Sequence, residues 1–145
     1  MTRINRKELE MTIKVQIVFP PGGGGDIAGW TADTVLSFTS FVGTSWKGWL
    51  SDENDPDVII FIADEGIESR KPVIEAARAG LTVFVVTRDE ALVGPEDLAG
   101  IKEGRALFFH AGKWQGKVGF HPFAKLGVAL RLVLQGMSLD DLGKE

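Results

Sequence analysis

The residues best placed to do chemistry fall in three short segments. The first is the turn Pro20-Pro21-Gly22-Gly23-Gly24-Gly25-Asp26. Glycines let backbone N–H groups approach a ligand with no Cβ in the way, and a helix starting behind them favours an anion. The spacing is not that of a dinucleotide fingerprint, since Gly22-x-Gly24-x-x-x-x-Gly29 stands where Gly-x-Gly-x-x-Gly would be needed. Asp26 has the chemistry of a helix N-cap and would repel a phosphate set on the helix axis. The turn therefore suits the sugar or nucleotide end of a ligand, and a purely structural turn is the alternative.

The second segment is Asp64-Glu65-Gly66, where a long apolar run ends in two carboxylates. Carboxylates there can hold a ribose, bind Mg²⁺ or act as a general base; the alternative is that Asp64 only caps the turn. The third is Thr87-Arg88-Asp89, again directly after an apolar run. Ser69, Arg70 and Glu75 follow the second segment. Glu75 either points into a crevice or pairs with Arg78 or Lys71 on the solvent side of a helix.

Other patterns lack a residue that their chemistry needs. Residues 111–118 resemble a P-loop, but Val118 replaces the hydroxyl residue that would hold Mg²⁺. His110 and His121 are the two histidines, and with no cysteine in the chain they make no convincing metal site. No nucleophile-elbow serine is present. The site is expected to use neither metal nor cofactor.

The elements that must position these residues read as β-α-β-α-β-(α)-β-α. Residues 12–19 alternate and then turn apolar, as a strand entering a sheet does. A helix is expected over 27–42, from the spacing of Ile27, Trp30, Val35, Phe38, Phe41 and Val42, with Gly43 as its stop. Residues 44–56 read as a loop bearing Trp46 and Trp49. Residues 57–64 and 81–87 are buried strands, 69–79 a helix with Pro72 in its first turn, 95–99 a short helix, 106–109 a strand and 122–135 a final helix before Gly136. Alternating strands and helices imply an α/β fold: a Rossmann-like three-layer sandwich with a mainly parallel sheet of four or five strands. In such sheets ligands bind beyond the carboxyl ends of the strands, where the strand order reverses. All three chemical segments would lie on that edge.

Composition narrows the partners. The 145 residues carry a net charge of −4, with 4 basic against 12 acidic side chains over residues 51–100. An acidic chain argues against nucleic acid as a partner. The longest apolar run is about six residues, against the ~20 that a membrane span needs. Lack of cysteine and of a signal-peptide pattern fits a cytoplasmic protein. Met11 stands directly before the first strand, so residues 1–10 read as a mobile arm or tag remnant and residues 11–145 as one α/β domain.

The strand 57–62, the pair Ser69-Arg70 with Glu75 six residues after Ser69, and the strand entry Gly80-Leu81-Thr82-Val83-Phe84 resemble the nucleoside 2-deoxyribosyltransferase-like group of small Rossmann-type N-glycosidases. The resemblance covers about a third of the chain. It implies that Glu75 is the nucleophile at the sugar carbon, in a hydrolase or transferase, and that Gly22, Gly23, Gly24 and Gly25 form the nucleotide cradle. The family's second strand and helix would fall within 43–56. The Asp64-Glu65-Gly66 turn is also similar to that of Toprim domains, but its carboxylates are adjacent rather than one residue apart.

Two readings follow. One is a nucleotide or nucleoside-phosphate binding protein that cleaves an N-glycosidic bond, with Glu75 and Asp64 catalytic and Gly22–Gly25, Asp26, Glu65, Ser69, Arg70 and Arg88 binding. The other is a non-enzymatic interaction or regulatory domain, drawing on Trp46, Trp49 and the acidic middle, with a homo-oligomer or protein partner.

Overall fold

A computed structural model describes residues 13–20, 23, 25–45, 56–63, 70–88, 106–112, 120–137, 139 and 142. Its strands are β1 (Val15–Phe19), β2 (Phe41–Ser45), β3 (Val58–Ala63), β4 (Thr82–Thr87), β5 (Ala106–His110) and β6 (Phe120–Pro122). Its helices are α1 (Gly25–Leu36), α2 (Arg70–Arg78) and α3 (Leu126–Leu134), the last preceded by a single 3-10 turn over Phe123–Lys125.

The six strands form one sheet in the order β2-β1-β3-β4-β5-β6, and every neighbouring pair is parallel. Strand β1 has β2 on one side and β3 on the other, so the order reverses between β1 and β3. That reversal is the switch point at which open α/β sheets bind ligands. A row of register partners, Ala63, Thr87, His110 and Pro122, closes the carboxyl edge of the last four strands.

Burial explains why β3 is apolar throughout and β4 is apolar between Thr82 and Thr87. All six residues of β3 are buried, as are all six of β4, because helices cover both faces of the sheet. On one face α1 and α3 pack Ile27, Val35, Leu126 and Leu130 against Ile17, Ile60, Phe84 and Phe109. On the other, Val73 and Ala76 of α2 meet Ile59, Phe61, Val83 and Val85. The result is the expected three-layer α/β sandwich, with six strands rather than four or five. No helix among the described residues is long and apolar enough to cross a membrane.

Two expected boundaries move. Helix α1 ends at Leu36, not at 42, and Phe41 and Val42 begin the edge strand β2. The hydroxyls of Thr34 and Ser37 bond the carbonyls four residues back, at 2.9 and 3.1 Å, and so compete with regular helical turns where the helix closes. Gly43 is therefore a strand residue rather than a helix stop. A Cβ there would sit 3.0 Å from the Phe19 ring, so glycine lets that ring lie against the edge strand. Near the C-terminus, Phe120–Pro122 is a strand where the final helix was expected to start, and α3 begins at Leu126.

Other ends match their sequence signals. Gly80 and Gly136 follow α2 and α3 with φ of +88° and +72°. Each is followed by a residue whose N–H reaches back into the helix, Leu81 to the Ala76 carbonyl at 3.2 Å and Met137 to the Leu132 carbonyl at 2.9 Å. The expected helix at 95–99, Trp46, Trp49 and the boundary at residue 10 lie outside the described residues.

Candidate functional site

The carboxyl edge is assembled from the segments that leave β1, β4, β5 and β6. After β1 the chain turns sharply: the Gly23 N–H donates to the Pro20 carbonyl at 2.8 Å. Gly23 has φ +89° and Gly25 φ +54°, a region that side-chain-bearing residues avoid. At least two of the four glycines thus have a conformational reason to be there. Helix α1 starts at Gly25 itself, so Asp26 lies exposed within the first turn and is not the N-cap expected from the sequence. A carboxylate in that position is favoured by the helix dipole and still opposes a second anion beside it.

At the end of β4 the chain is tied to β5. The Ala111 N–H donates to the Thr87 carbonyl at 2.9 Å, and the Gly112 N–H donates to His110 Nδ1 at 3.0 Å. Because Nδ1 accepts, the neutral His110 ring carries its proton on Nε2. A Cβ on Gly112 would meet His110 Cε1 at 3.0 Å and Arg88 Cγ at 3.2 Å. The glycine thus allows this turn to close down on both side chains.

Arg88 continues from there onto α1. Its guanidinium carbon lies 5.9 Å from the centroid of the Trp30 ring, within the range of a cation–π contact. Trp30 in turn packs on Phe123, with ring centroids 6.2 Å apart and planes tilted by 54°. Trp30 is 46% exposed, whereas Ile27, Ala28, Thr31 and Val35 form the buried stripe of the same helix. Trp30 thus lies in the expected helix but off its buried stripe. Arg88, directly after β4, and Phe123, directly after β6, thus meet at this exposed tryptophan of α1.

His121 lies nearby on β6, with its ring centroid 5.9 Å from that of Phe109. Partial burial, and then the charge of Lys125, lower its pKa below the usual histidine value. Among the described residues no cluster of His, Asp or Glu could hold a metal ion.

The remaining expected site residues are only partly placed. Gly22, Gly24, Asp64, Glu65 and Ser69 lie outside the described residues. Arg70 opens α2 at the carboxyl edge. Glu75 is exposed on α2, while Val73 and Ala76 make that helix's contacts with the sheet. That is the position of the solvent-side alternative, and the described contacts do not bring Glu75 together with the glycine turn. Sequence reasoning missed Trp30, Gly112 and Phe123. The one signal that pointed to them was the helix position of Trp30, one turn behind a glycine-rich loop.

No family model matches the chain, and no curated protein does. Among solved structures it is similar to the sugar isomerase domain of an RpiR transcription factor from Sphaerobacter thermophilus, at 14% identity and a TM-score of 0.48, over 93% of this chain and 76% of that one. It is also similar to CapF, solved with the inhibitor 3-isopropenyl-tropolone, at 11% identity and a TM-score of 0.45, over 86% of this chain and 47% of that one. This chain thus spans just under half of the CapF chain. Neither neighbour is a nucleoside 2-deoxyribosyltransferase, so that resemblance rests on the quoted residues alone.

Proposed function

We propose that this chain binds a small phosphorylated nucleoside or nucleotide in the crevice at the carboxyl ends of β1 and β3. The observation that carries the reading is the position of the glycine turn. It leaves β1 at the switch point of the sheet, with Gly23 and Gly25 in conformations that bare the backbone, and it feeds directly into α1. Asp26 beside the turn suits sugar hydroxyls, and Arg88 across the same edge suits an anion. Thermal-shift measurements against nucleoside monophosphates test this. A rise in Tm at millimolar ligand is expected, and no shift with any of them refutes the reading.

Cleavage of an N-glycosidic bond would fall to Glu75, with Asp64 assisting. The exposed position of Glu75 favours binding without that chemistry. Incubating the protein with nucleoside monophosphates and measuring released base decides it: release that disappears in Glu75→Gln restores the catalytic role.

A second reading, a domain that binds a protein partner or its own copy, draws on the β2 edge. Val42 is 52% exposed on β2, which ends the sheet, and Leu36 is 57% exposed at the end of α1. Light scattering of the purified chain tests self-association, and a strictly monomeric mass removes that form of it.

A further inference from the structure

Arg88 is held from two sides. Its guanidinium rests over Trp30, and its stem is confined by the backbone at Gly112, where even a Cβ would come within 3.2 Å of Cγ. Among the described residues it forms no ion pair with a carboxylate, and the contact that places its guanidinium is the Trp30 ring. An arginine orders poorly at a surface unless something fixes it, because its side chain carries much rotamer entropy. Here the ordering comes from an aromatic ring and a tight turn, both of which leave the fork of donors open.

Charge along α1 gives this arrangement a direction. Asp26 and Trp30 are four residues apart in one helix, so they are neighbours on its surface, about 5–6 Å apart at Cβ. The helix thus presents a carboxylate in its first turn and, one turn on, a ring that carries a cation. A phosphate near Asp26 is repelled, and the same phosphate near Arg88 is met by two parallel N–H donors.

We infer that Arg88 is the phosphate anchor of the crevice, positioned by Trp30 and Gly112, with Asp26 at the sugar end of the same ligand. The ligand class is a phosphomonoester on a hydroxyl-bearing sugar. The inference rests on the binding reading above and adds to it the residue that takes the phosphate and the direction in which the ligand lies. The glycine turn then contacts the sugar or its substituent, and the phosphate sits further along the edge, toward β4.

Calorimetric titration with AMP, ribose 5-phosphate, adenosine and inorganic phosphate tests it, on the wild-type chain and on Arg88→Gln, Arg88→Lys and Trp30→Leu. AMP, ribose 5-phosphate or both should bind the wild type, and which of them binds distinguishes a nucleotide from a sugar phosphate. Arg88→Gln should weaken the phosphorylated ligand on the order of ten- to a hundredfold, the usual loss for a hydrogen-bonded charge pair, and leave adenosine unchanged. Arg88→Lys, which keeps the charge but not the fork, should fall between. Trp30→Leu should weaken the phosphorylated ligand by a smaller factor, because Arg88 stays but is no longer held. Equal affinity of wild type and Arg88→Gln for the phosphorylated ligand overturns the anchor and leaves the crevice standing. Failure of the wild type to bind any of the four probes overturns the crevice reading itself, and the anchor with it. Unchanged unfolding temperatures establish that the variants are folded, as expected for exposed side chains.

Discussion

The guanidinium of Arg88 lies over the ring of Trp30 and ties the end of β4 to the second turn of α1. Neither residue is buried, yet each is placed by the other, and the turn at Gly112 closes on the arginine from the β5 side. This contact decides where on the carboxyl edge a positive charge stands.

Gly112 is the first place to disturb it. An added methyl would lie 3.0 Å from His110 Cε1, a ring already fixed by the hydrogen bond from the Gly112 N–H. Gly112→Ala should lower stability by about 1–3 kcal/mol, the range for overpacking a tight contact, as read from urea denaturation. If phosphorylated ligands bind as inferred, the same variant should weaken them as well.

The glycines of α1 and its approach should behave oppositely. Gly23→Ala and Gly25→Ala place a Cβ at φ +89° and +54°, and each should destabilise by about 1–2 kcal/mol. Gly29 has an ordinary helical backbone and open space around it, so Gly29→Ala should stabilise by about 0.5–1 kcal/mol through helix propensity. Thermal unfolding of the three variants checks the sign of each change.

His121 makes stability depend on pH. Its folded pKa is depressed, first by burial and then by Lys125, so the folded state resists protonation more than the unfolded chain does. Above the unfolded value of 6.5 the ring is neutral in both states and the effect vanishes. As pH falls below that value the unfolded chain takes up the proton first, and stability is lost until the folded ring also protonates. Denaturant titrations between pH 8 and pH 5 should show this decline in the wild type and a shallower one in His121→Gln.

The core should respond as a closely packed one. Phe84 is fully buried on β4, with its ring edge-on to Phe109 at a centroid distance of 5.5 Å. Phe84→Ala should destabilise by about 3–5 kcal/mol in equilibrium unfolding. Glu75→Gln, exposed on α2, should stay within about 0.5 kcal/mol of wild type in the same measurement.

The strands buried on both faces were legible in the sequence. Residues 58–63 are a continuous apolar run and 83–86 another between Thr82 and Thr87, as strands buried between two helical layers are. The helix ends at Gly80 and Gly136 were legible too, because a positive φ selects glycine whatever the tertiary context. Strand β2 was not. Its alternation is interrupted by Gly43, and its residues are half-exposed, so Phe41 and Val42 fitted the helical stripe of Val35 and Phe38 equally well. Only pairing with β1, which includes a hydrogen bond from Gln16 Nε2 to Thr44 Oγ1 at 3.0 Å, decides between them.

The site divides in the same way. The glycine turn announced itself because its chemistry is local to a few consecutive residues. The cluster of Trp30, Arg88, Gly112 and Phe123 joins four separate elements. Each member alone looks like an ordinary helix, turn or loop residue, and only the three-dimensional arrangement brings them together.

The pairing of β1 with β3 carries a kinetic consequence. At its start the Lys14 N–H donates to Asp57 Oδ2 at 2.8 Å, across 43 residues of chain, with β2 laid down on the opposite side in between. Closing so long a loop must precede the contacts that reward it, and such non-local topologies fold slowly. The crevice at the far end of the same strands is absent until that closure is made. If a ligand binds there as proposed, adding it during refolding should leave the folding rate nearly unchanged and slow unfolding instead, prolonging the life of the native chain rather than hastening its birth.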